Sequence, residues 1–265
     1  MNNRYIGIFD SGVGGLTVVK SILDSMPNEN IIYFGDTAHV PYGTRTKDDI
    51  IRLALNNADF LSSFDIKAIV IACNTVDSNA HNIIEDAYTV PVFGIIEPAA
   101  KKAVKATRNG KIGVIATNAT IDSGAYEQNI KRLKPDAEVF SVACPKLVPL
   151  IEQCKFRKGD TEIEEALEEY LLPLKSKGID TLVLGCTHYP LIKNIAAEIL
   201  PDAVMVSSSD AETEALRVAL EKDNLFNSEK GSDIKFFVSG DTDIFGKTAK
   251  VFMGDLFDKA EHVEV

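Results

Sequence analysis

One short pattern occurs twice in this chain and limits what it can fold into. Residues 68–75 read Ala-Ile-Val-Ile-Ala-Cys-Asn-Thr, and residues 181–188 read Thr-Leu-Val-Leu-Gly-Cys-Thr-His. Each begins with a short apolar run, which is typical of a strand buried on both faces of a parallel sheet. Each run leads into a cysteine, Cys73 or Cys186, and then into groups that form hydrogen bonds. Because open α/β sheets bind ligands at the carboxyl ends of their strands, the pattern predicts one site with a thiol on each side.

Apolar strands alternate with amphipathic helices along the 265-residue chain. We predict strands at 4–10, 31–35, 67–73, 92–96, 111–116, 137–142, 180–186, 203–206 and 234–239. We predict helices at 15–25, 46–63, 78–87, 98–107, 121–133, 146–153, 160–176, 190–199, 210–222 and 243–257. This alternation predicts βαβ units with mostly parallel sheets, arranged as two pseudo-symmetric α/β domains with the site in the cleft between them. The first domain would comprise residues 1–97 and 208–265, and the second residues 98–207.

Charge and composition argue against several classes of function. The formal net charge is −11, which disfavours a large nucleic-acid surface. No apolar run is long enough to span a bilayer, and the first residues lead into a strand rather than a secretory signal. We therefore expect a cytoplasmic protein, without membrane contact, whose four cysteines are free thiols. The cysteine spacing does not fit a zinc site, so we expect no metal.

Two glycine-containing loops follow the first two predicted strands. The segment Asp10-Ser11-Gly12-Val13-Gly14-Gly15 opens a helix, where free N–H groups attract anions and glycine allows close backbone approach. Its acid, Asp10, would repel a phosphate but would suit an ammonium group. The segment Pro41-Tyr42-Gly43 is a candidate wall of the same crevice. Taken alone, either loop would also be consistent with a simple turn.

The polar residues after each cysteine give the two thiols a chemical setting. A lone cysteine in an apolar strand is usually an inert buried thiol, but here two occupy matched positions. A helix N-terminus can lower the pKa of a thiol from about 8.5. Asn74, Thr75 and Thr187 can hold a carboxylate. His188 can tune Cys186 or take part in proton transfer, although a structural histidine is the alternative.

Two thiols at one site could serve a regulatory disulfide, a metal site or proton transfer. A disulfide requires sulfurs about 2.05 Å apart, and a metal needs more ligands than two sulfurs and one histidine. For proton transfer at a carbon between them, each sulfur would lie roughly 3–3.5 Å from that carbon, so the sulfurs would be about 6–7 Å apart. One thiolate would remove the proton and the other thiol would return one to the opposite face. Cys144 and Cys154 lack this setting, and we interpret them as structural or incidental.

Taken together, these motifs resemble the glutamate racemase family, which does not use pyridoxal phosphate, and the resemblance extends nearly end to end. The motifs that carry it are Asp10-Ser11-Gly12-Val13-Gly14-Gly15, Pro41-Tyr42-Gly43, Cys73-Asn74-Thr75, Gly113-Val114-Ile115-Ala116-Thr117, Leu147 to Glu152 and Gly185-Cys186-Thr187-His188-Tyr189-Pro190. The resemblance implies a cofactor-independent enzyme that interconverts L- and D-glutamate. D-glutamate would then feed peptidoglycan synthesis, and a homodimer is common in this family.

The resemblance also implies roles for single residues. Cys73 would act on the D enantiomer and Cys186 on the L enantiomer, with Asp10, Glu152 and His188 assisting proton transfer. The substrate would be bound by Asp10, Ser11, Pro41, Tyr42, Gly43, Asn74, Thr75, Thr117, Thr187 and His188. The chain departs from the family pattern at the edge of the site. His39 stands where an arginine is common, and Val76-Asp77 replaces a continuation rich in alanine.

The residues themselves add an expectation about how the substrate is held. No Lys or Arg lies inside the core motifs, and the nearest is Arg45. We therefore expect main-chain N–H groups and hydroxyls to hold both carboxylates. Two alternatives stay open at this point. One is another racemase of the same superfamily, acting on aspartate, and the other is a non-catalytic anion-binding or redox protein that forms a Cys73–Cys186 disulfide.

Overall fold

The computed structural model describes residues 3–229 and 231–265. Its strands are β1 (Tyr5–Asp10), β2 (Asn30–Gly35), β3 (Ile66–Ile71), β4 (Val92–Gly94), β5 (Lys111–Ala116), β6 (Glu138–Ala143), β7 (Thr181–Gly185), β8 (Val204–Ser207), β9 (Ile234–Val238) and β10 (Glu261–His262). Its helices are α1 (Leu16–Ser25), α2 (Lys47–Ser62), α3 (Asn74–Ala87), α4 (Ile96–Ala106), α5 (Asn118–Asp122), α6 (Ala125–Leu133), α7 (Leu147–Glu152), α8 (Thr161–Ser176), α9 (Lys193–Ile199), α10 (Ser208–Lys222) and α11 (Thr242–Met253). Short 3₁₀ turns cover Tyr42–Thr44, Tyr189–Ile192 and Gly254–Leu256.

The strands form two parallel sheets with the same internal order. The first sheet runs β10-β9-β2-β1-β3-β4, and the second runs β6-β5-β7-β8. If the strands of each half are counted from its own start, both sheets contain the order 2-1-3-4, and the late strands β9 and β10 extend the first. All strand pairs are parallel. The predicted α/β fold with mostly parallel sheets is confirmed.

The two repeated apolar runs form the strands that the pattern predicts. Every residue of β3 and every residue of β7 is buried. Both strands lie inside their sheets, and helices cover both faces, so neither face of the strand meets water. The carboxyl ends of β3 and β7 lead into Cys73 and Cys186, respectively. No helix in the described part of the chain is both long and apolar enough to cross a bilayer.

The prediction of one continuous helix over 121–133 is wrong. The segment expected to be helical over 121–133 is two helices, α5 and α6, separated at Gly124. Gly124 has a φ of 67°, in the left-handed region where glycine has no side-chain penalty. The break turns the chain sharply after α5, and α6 then packs along α4. Periodicity alone could not show this, because the apolar spacing continues through the turn.

Other helix boundaries differ from the expected ones by a few residues, with consequences at the site. Helix α3 begins at Asn74 rather than at residue 78, so Cys73 is its N-cap residue. Strand β3 ends at Ile71, two residues before Cys73 rather than at it. Helix α10 begins at Ser208, directly after β8. The short strand β10 was not predicted, since two exposed residues carry no apolar signal.

Candidate active site

A cavity of about 310 Å³ lies where the carboxyl ends of the two sheets meet, and it collects most of the predicted site residues. Its lining includes Ser11, Pro41, Tyr42, Gly43, Cys73, Asn74, Thr75, Thr117, Glu152, Cys186, Thr187 and His188. Asp10 is the predicted residue that does not line it. The wall is completed by residues that were not predicted as site residues, namely Val40, Thr44, Asn118, Cys144, Pro145, Val148 and Pro149.

Cys73 lies at the start of α3 with its thiol buried beside the first glycine loop. Its Sγ donates to the Ser11 hydroxyl at 3.6 Å, and the Val76 main-chain N–H contacts the sulfur. Burial first, and then the nearby negative charge of Asp10, raise the pKa of the Cys73 thiol to about 12, against the lowering effect of Ser11 and Val76. The lowering that a helix start can produce is therefore outweighed at Cys73 by the loss of water around the sulfur.

Cys186 has a different neighbourhood, built around His188. The Cys186 Sγ lies 3.7 Å from His188 Nδ1, and His188 Nε2 lies 3.3 Å from Glu152 Oε1. Burial alone would lower the pKa of His188, but Cys186 and Glu152 outweigh it and raise that pKa to about 10. The imidazole is therefore protonated at neutral pH and can donate to the sulfur. Glu152, which the resemblance names as an assistant in proton transfer, therefore has His188 as a partner in the site.

Asp10 is completely buried beneath the cavity and connects the two halves of the site. Its carboxylate accepts from the Gly12 main-chain N–H at 2.8 Å and from the Thr187 hydroxyl at 3.3 Å. Burial raises the pKa of Asp10, although His188 and these hydrogen bonds act to lower it. The contact with Thr187 joins the loop after β1 to the loop after β7. Asp10 therefore helps to set the position of the Cys186 loop relative to the first sheet.

A cluster of threonine hydroxyls links the sheets on the other side of the cavity. Thr75 Oγ1 lies 2.9 Å from Thr117 Oγ1, which lies 3.0 Å from Thr120 Oγ1. Thr75 lies on α3, which follows β3 of the first sheet, whereas Thr117 caps α5, which follows β5 of the second sheet. Thr120, which the sequence did not suggest, is buried and orients the other two hydroxyls. These hydroxyls can donate to an anionic group in the cavity.

The wall formed by Tyr42 is supported by Asp36, which sequence reasoning also missed. The Asp36 carboxylate accepts from the Tyr42 hydroxyl and from the Ser239 hydroxyl, and His39 Nδ1 lies 2.8 Å from it. His39, the departure noted in the sequence, therefore holds this loop rather than facing the cavity. Asp36 could not be found from spacing, since its partner Ser239 lies 203 residues away.

None of the described residues that line the cavity is Lys or Arg. Arg45, the basic residue nearest to the motifs, donates to the His39 carbonyl at 2.9 Å from Nε and 2.6 Å from Nη2. How the substrate carboxylates are held stays a prediction. Within the described ranges, no group of three or more His, Cys, Asp or Glu side chains has metal-binding geometry.

Two cysteines lie outside the paired motifs. Cys144, whose sequence setting suggested a structural role, lines the cavity with its Sγ donating to the Val142 carbonyl at 3.5 Å. Cys154 is exposed and does not line the cavity. All four cysteines are free thiols, as expected.

Glu212, on α10, is a buried acid. It is completely buried, and neither of its carboxylate oxygens has a hydrogen-bond partner within the described residues. Burial raises the pKa of Glu212 well above its ordinary value, and the negative charges of Asp77 and Asp10 raise it further. We therefore expect a neutral carboxylic acid in the folded protein.

The stability of the Glu212→Gln variant relative to wild type should increase as the pH rises. The folded wild type keeps a proton on Glu212 that the unfolded chain releases above about pH 4.3, so the wild type loses stability with rising pH until the raised pKa is reached. The variant does not titrate there, so its free energy of unfolding relative to wild type should increase by about 1.4 kcal/mol per pH unit. Urea unfolding from about pH 5 to pH 8 measures this slope.

The matched control is Glu214→Gln on the same helix. Glu214 is exposed and pairs with Lys102 at 3.3 Å, so its replacement should leave the pH slope of wild type unchanged. Equal slopes for wild type and Glu212→Gln would show that Glu212 is ionised in the folded protein.

Comparison with known proteins agrees with this geometry. Residues 7–215 match the family model described as Asp/Glu/Hydantoin racemase. A glutamate racemase of Corynebacterium kroppenstedtii is 43% identical over 288 residues, covering 100% of this chain and 98% of the relative. The crystal structure of a glutamate racemase isoform from Bacillus anthracis has a TM-score of 0.93 at 35% identity, covering 100% of this chain and 98% of that one. The Francisella tularensis glutamate racemase, crystallised with D-glutamate, has a TM-score of 0.90 at 37% identity, with the same coverage. Because these matches span both sheets and all the motifs, the chain belongs to the Asp/Glu/Hydantoin racemase family.

Proposed function

We propose that this protein is a cofactor-independent glutamate racemase that interconverts L- and D-glutamate by proton transfer at the α-carbon. The observation that carries the proposal is a pair of free, buried thiols, Cys73 and Cys186, on the lining of one cavity. The relatives described above are named glutamate racemases, and one of them was crystallised with D-glutamate.

The proposed chemistry uses the two thiols in opposite roles. In the L-to-D direction, the Cys186 thiolate takes the α-proton and leaves a carbanion, and the Cys73 thiol then donates its own proton to the opposite face. One C–H bond breaks and another forms, and the thiol and thiolate exchange places. The pKa of Cys73, about 12, keeps that thiol protonated and ready to act as the acid. In the D-to-L direction the roles exchange, and His188 beside Cys186 assists the transfer on that side.

The substrate ammonium group has a function in this scheme. An ammonium near the loop of Asp10 and Ser11 would offset the negative charge that raises the pKa of Cys73, which makes its thiolate accessible. The same positive charge lies next to the carbanion that forms when the α-proton leaves. Donor groups without charge would hold the two carboxylates, from Ser11, Asn74, Thr75, Thr117 and Thr187. The loop of Pro41, Tyr42 and Gly43 would close the cavity wall.

The wider setting belongs to the same proposal. D-glutamate made here would supply peptidoglycan synthesis, in the cytoplasm, where four free thiols persist. We propose a homodimer, for which light scattering after size-exclusion chromatography is the test. We also propose that the two sheets mark two domains, residues 1–97 with 208–265 and residues 98–207, with the cavity in the cleft between them.

The experiment that tests the function is incubation with L-glutamate in D₂O. Deuterium should enter the α-position while optical rotation is lost, because the donating thiol carries a solvent deuteron. L-aspartate and N-acetyl-L-glutamate serve as controls, the second because it lacks the ammonium group. Faster turnover of aspartate would assign the aspartate activity instead. An absence of exchange with glutamate at high enzyme concentration, together with ready formation of a Cys73–Cys186 disulfide, would favour a redox protein.

A further inference from the structure

Tyr126 on α6 contacts the residues next to both cysteines. It is buried, with 2% of its surface exposed. Its hydroxyl donates to Asn74 Oδ1 at 2.6 Å, and Asn74 directly follows Cys73. This hydrogen bond is short and shielded from water, so it ties the second sheet's helix layer to the first turn of α3.

The ring of the same tyrosine packs against the other cysteine motif. A Cβ atom placed on Gly185 would lie 2.9 Å from Cε2 of Tyr126, so the ring lies directly on the backbone of Gly185. Gly185 ends β7 and directly precedes Cys186. One side chain therefore reaches from the residue before Cys186 to the residue after Cys73.

A second connection runs parallel to the first. Asn74 Nδ2 donates to Ser208 Oγ at 3.5 Å, and Ser208 Oγ donates to the Leu184 carbonyl at 2.9 Å. Leu184 lies on β7, two residues before Cys186. Both ends of the Asn74 amide are therefore bound by protein groups attached to the Cys186 side, and Tyr126 supplies the shorter of the two bonds.

The hydroxyl of Tyr126 is suited to remain a donor. Burial raises the pKa of Tyr126 well above its ordinary value, and the negative charge of Asp77 acts in the same direction. The phenol therefore keeps its proton, and the bond to Asn74 does not titrate where the enzyme works.

We propose that Tyr126 is a positioning residue that fixes the distance between the Cys73 and Cys186 thiols across the substrate. The proposal rests on the proposed racemase function. Racemisation needs both sulfurs at reacting distance from one carbon at once, whereas removal of a proton needs only one of them. A variable distance between the two thiols therefore impairs the return of a proton to the opposite face more than it impairs the removal of the first proton.

The test is Tyr126→Phe, which removes the hydroxyl and keeps the ring on Gly185. In D₂O the variant should incorporate deuterium into recovered starting enantiomer, because the carbanion waits for the distant thiol while the first thiol exchanges with solvent. We expect the ratio of exchange with retention to exchange with inversion to rise by about tenfold, with kcat falling by a similar factor. A variant that is merely less stable contains less active enzyme, which lowers both rates together and leaves their ratio unchanged.

Two further variants complete the experiment. Ser208→Ala cuts the parallel connection and should move the same ratio in the same direction, which keeps the test available if Tyr126→Phe folds poorly. Tyr170→Phe is the matched control, since Tyr170 is also buried but its hydroxyl contacts the main chain of Lys146. A ratio for Tyr126→Phe and Ser208→Ala within twofold of the Tyr170→Phe ratio would overturn the inference. An absence of racemisation in the wild type would instead overturn the proposed function, and this inference with it.

Discussion

Cys73→Ser and Cys186→Ser are each expected to lower the rate of glutamate racemisation by about 10²–10⁴-fold, the range by which a positioned acid or base accelerates a reaction. A serine hydroxyl is a far weaker acid than a thiol, so it donates a proton poorly and almost never ionises to supply the base. The face of the α-carbon that it serves therefore cannot lose or gain its proton at the usual rate. Both directions should fail in each variant, because one thiol is the base in one direction and the acid in the other. Polarimetry with each enantiomer measures the loss.

The two cysteine variants should also differ from one another. Cys186→Ser leaves His188 without its sulfur neighbour, so the pKa of His188 should fall from about 10, whereas Cys73→Ser leaves that contact intact. The NMR titration of the histidine ring reads this difference independently of activity. Cys154→Ser, at an exposed thiol outside the cavity, is the control and should racemise glutamate at the wild-type rate. Near-normal turnover by Cys73→Ser or Cys186→Ser would remove that residue from the mechanism.

Gly14→Ala is expected to reduce kcat by about 10²-fold, because the added methyl group would displace Thr187 and His188. A Cβ atom at this position would lie 2.4 Å from Thr187 Oγ1 and 2.5 Å from His188 Nδ1. Real Cβ atoms do not approach other atoms so closely, and both neighbours are buried, so the Cys186 loop must shift. Because His188 contacts the Cys186 sulfur, that shift moves the reacting group itself. Steady-state kinetics and a thermal unfolding curve measure the two effects.

Gly246→Ala is the matched control for Gly14→Ala. Gly246 lies inside α11, and a Cβ there would have its nearest neighbour, Phe257 Cε1, at 3.6 Å, an ordinary contact. Replacing a helical glycine by alanine should stabilise the protein by about 0.5–1 kcal/mol, with activity unchanged. If Gly14→Ala were as active as this control, the loop after β1 would not determine the geometry of His188.

The residues that define the cavity could be predicted because their signals are local. An apolar run that ends in Cys-Asn-Thr or Cys-Thr-His specifies a buried strand and the residues at its carboxyl end, so both cysteine motifs were placed on the same cavity from sequence alone. The alternation of strands and helices likewise predicted the parallel sheets.

What sequence could not supply depends on contacts between distant segments. Tyr126 reaches Asn74 across 52 positions, and no periodicity distinguishes it from any other buried tyrosine. The apolar spacing of α10 does not distinguish Glu212 from an exposed helix acid, and only the packing of α10 shows that it is fully buried. The raised pKa of Cys73 could not be predicted from sequence for a related reason. A helix start is visible in the sequence, whereas the loss of water around the sulfur is a property of the assembled halves.

The uncharged lining of the cavity has a consequence for product release. The two enantiomers have equal free energies in solution, so the product accumulates to the same concentration as the substrate. Each enantiomer then competes with the other for the cavity. A lysine or arginine on a carboxylate would bind both forms equally tightly, which lowers KM without raising kcat and retains the product after the proton has moved. None of the described residues that line the cavity carries such a charge. We therefore expect both enantiomers to bind weakly and the product to leave quickly after the proton has moved.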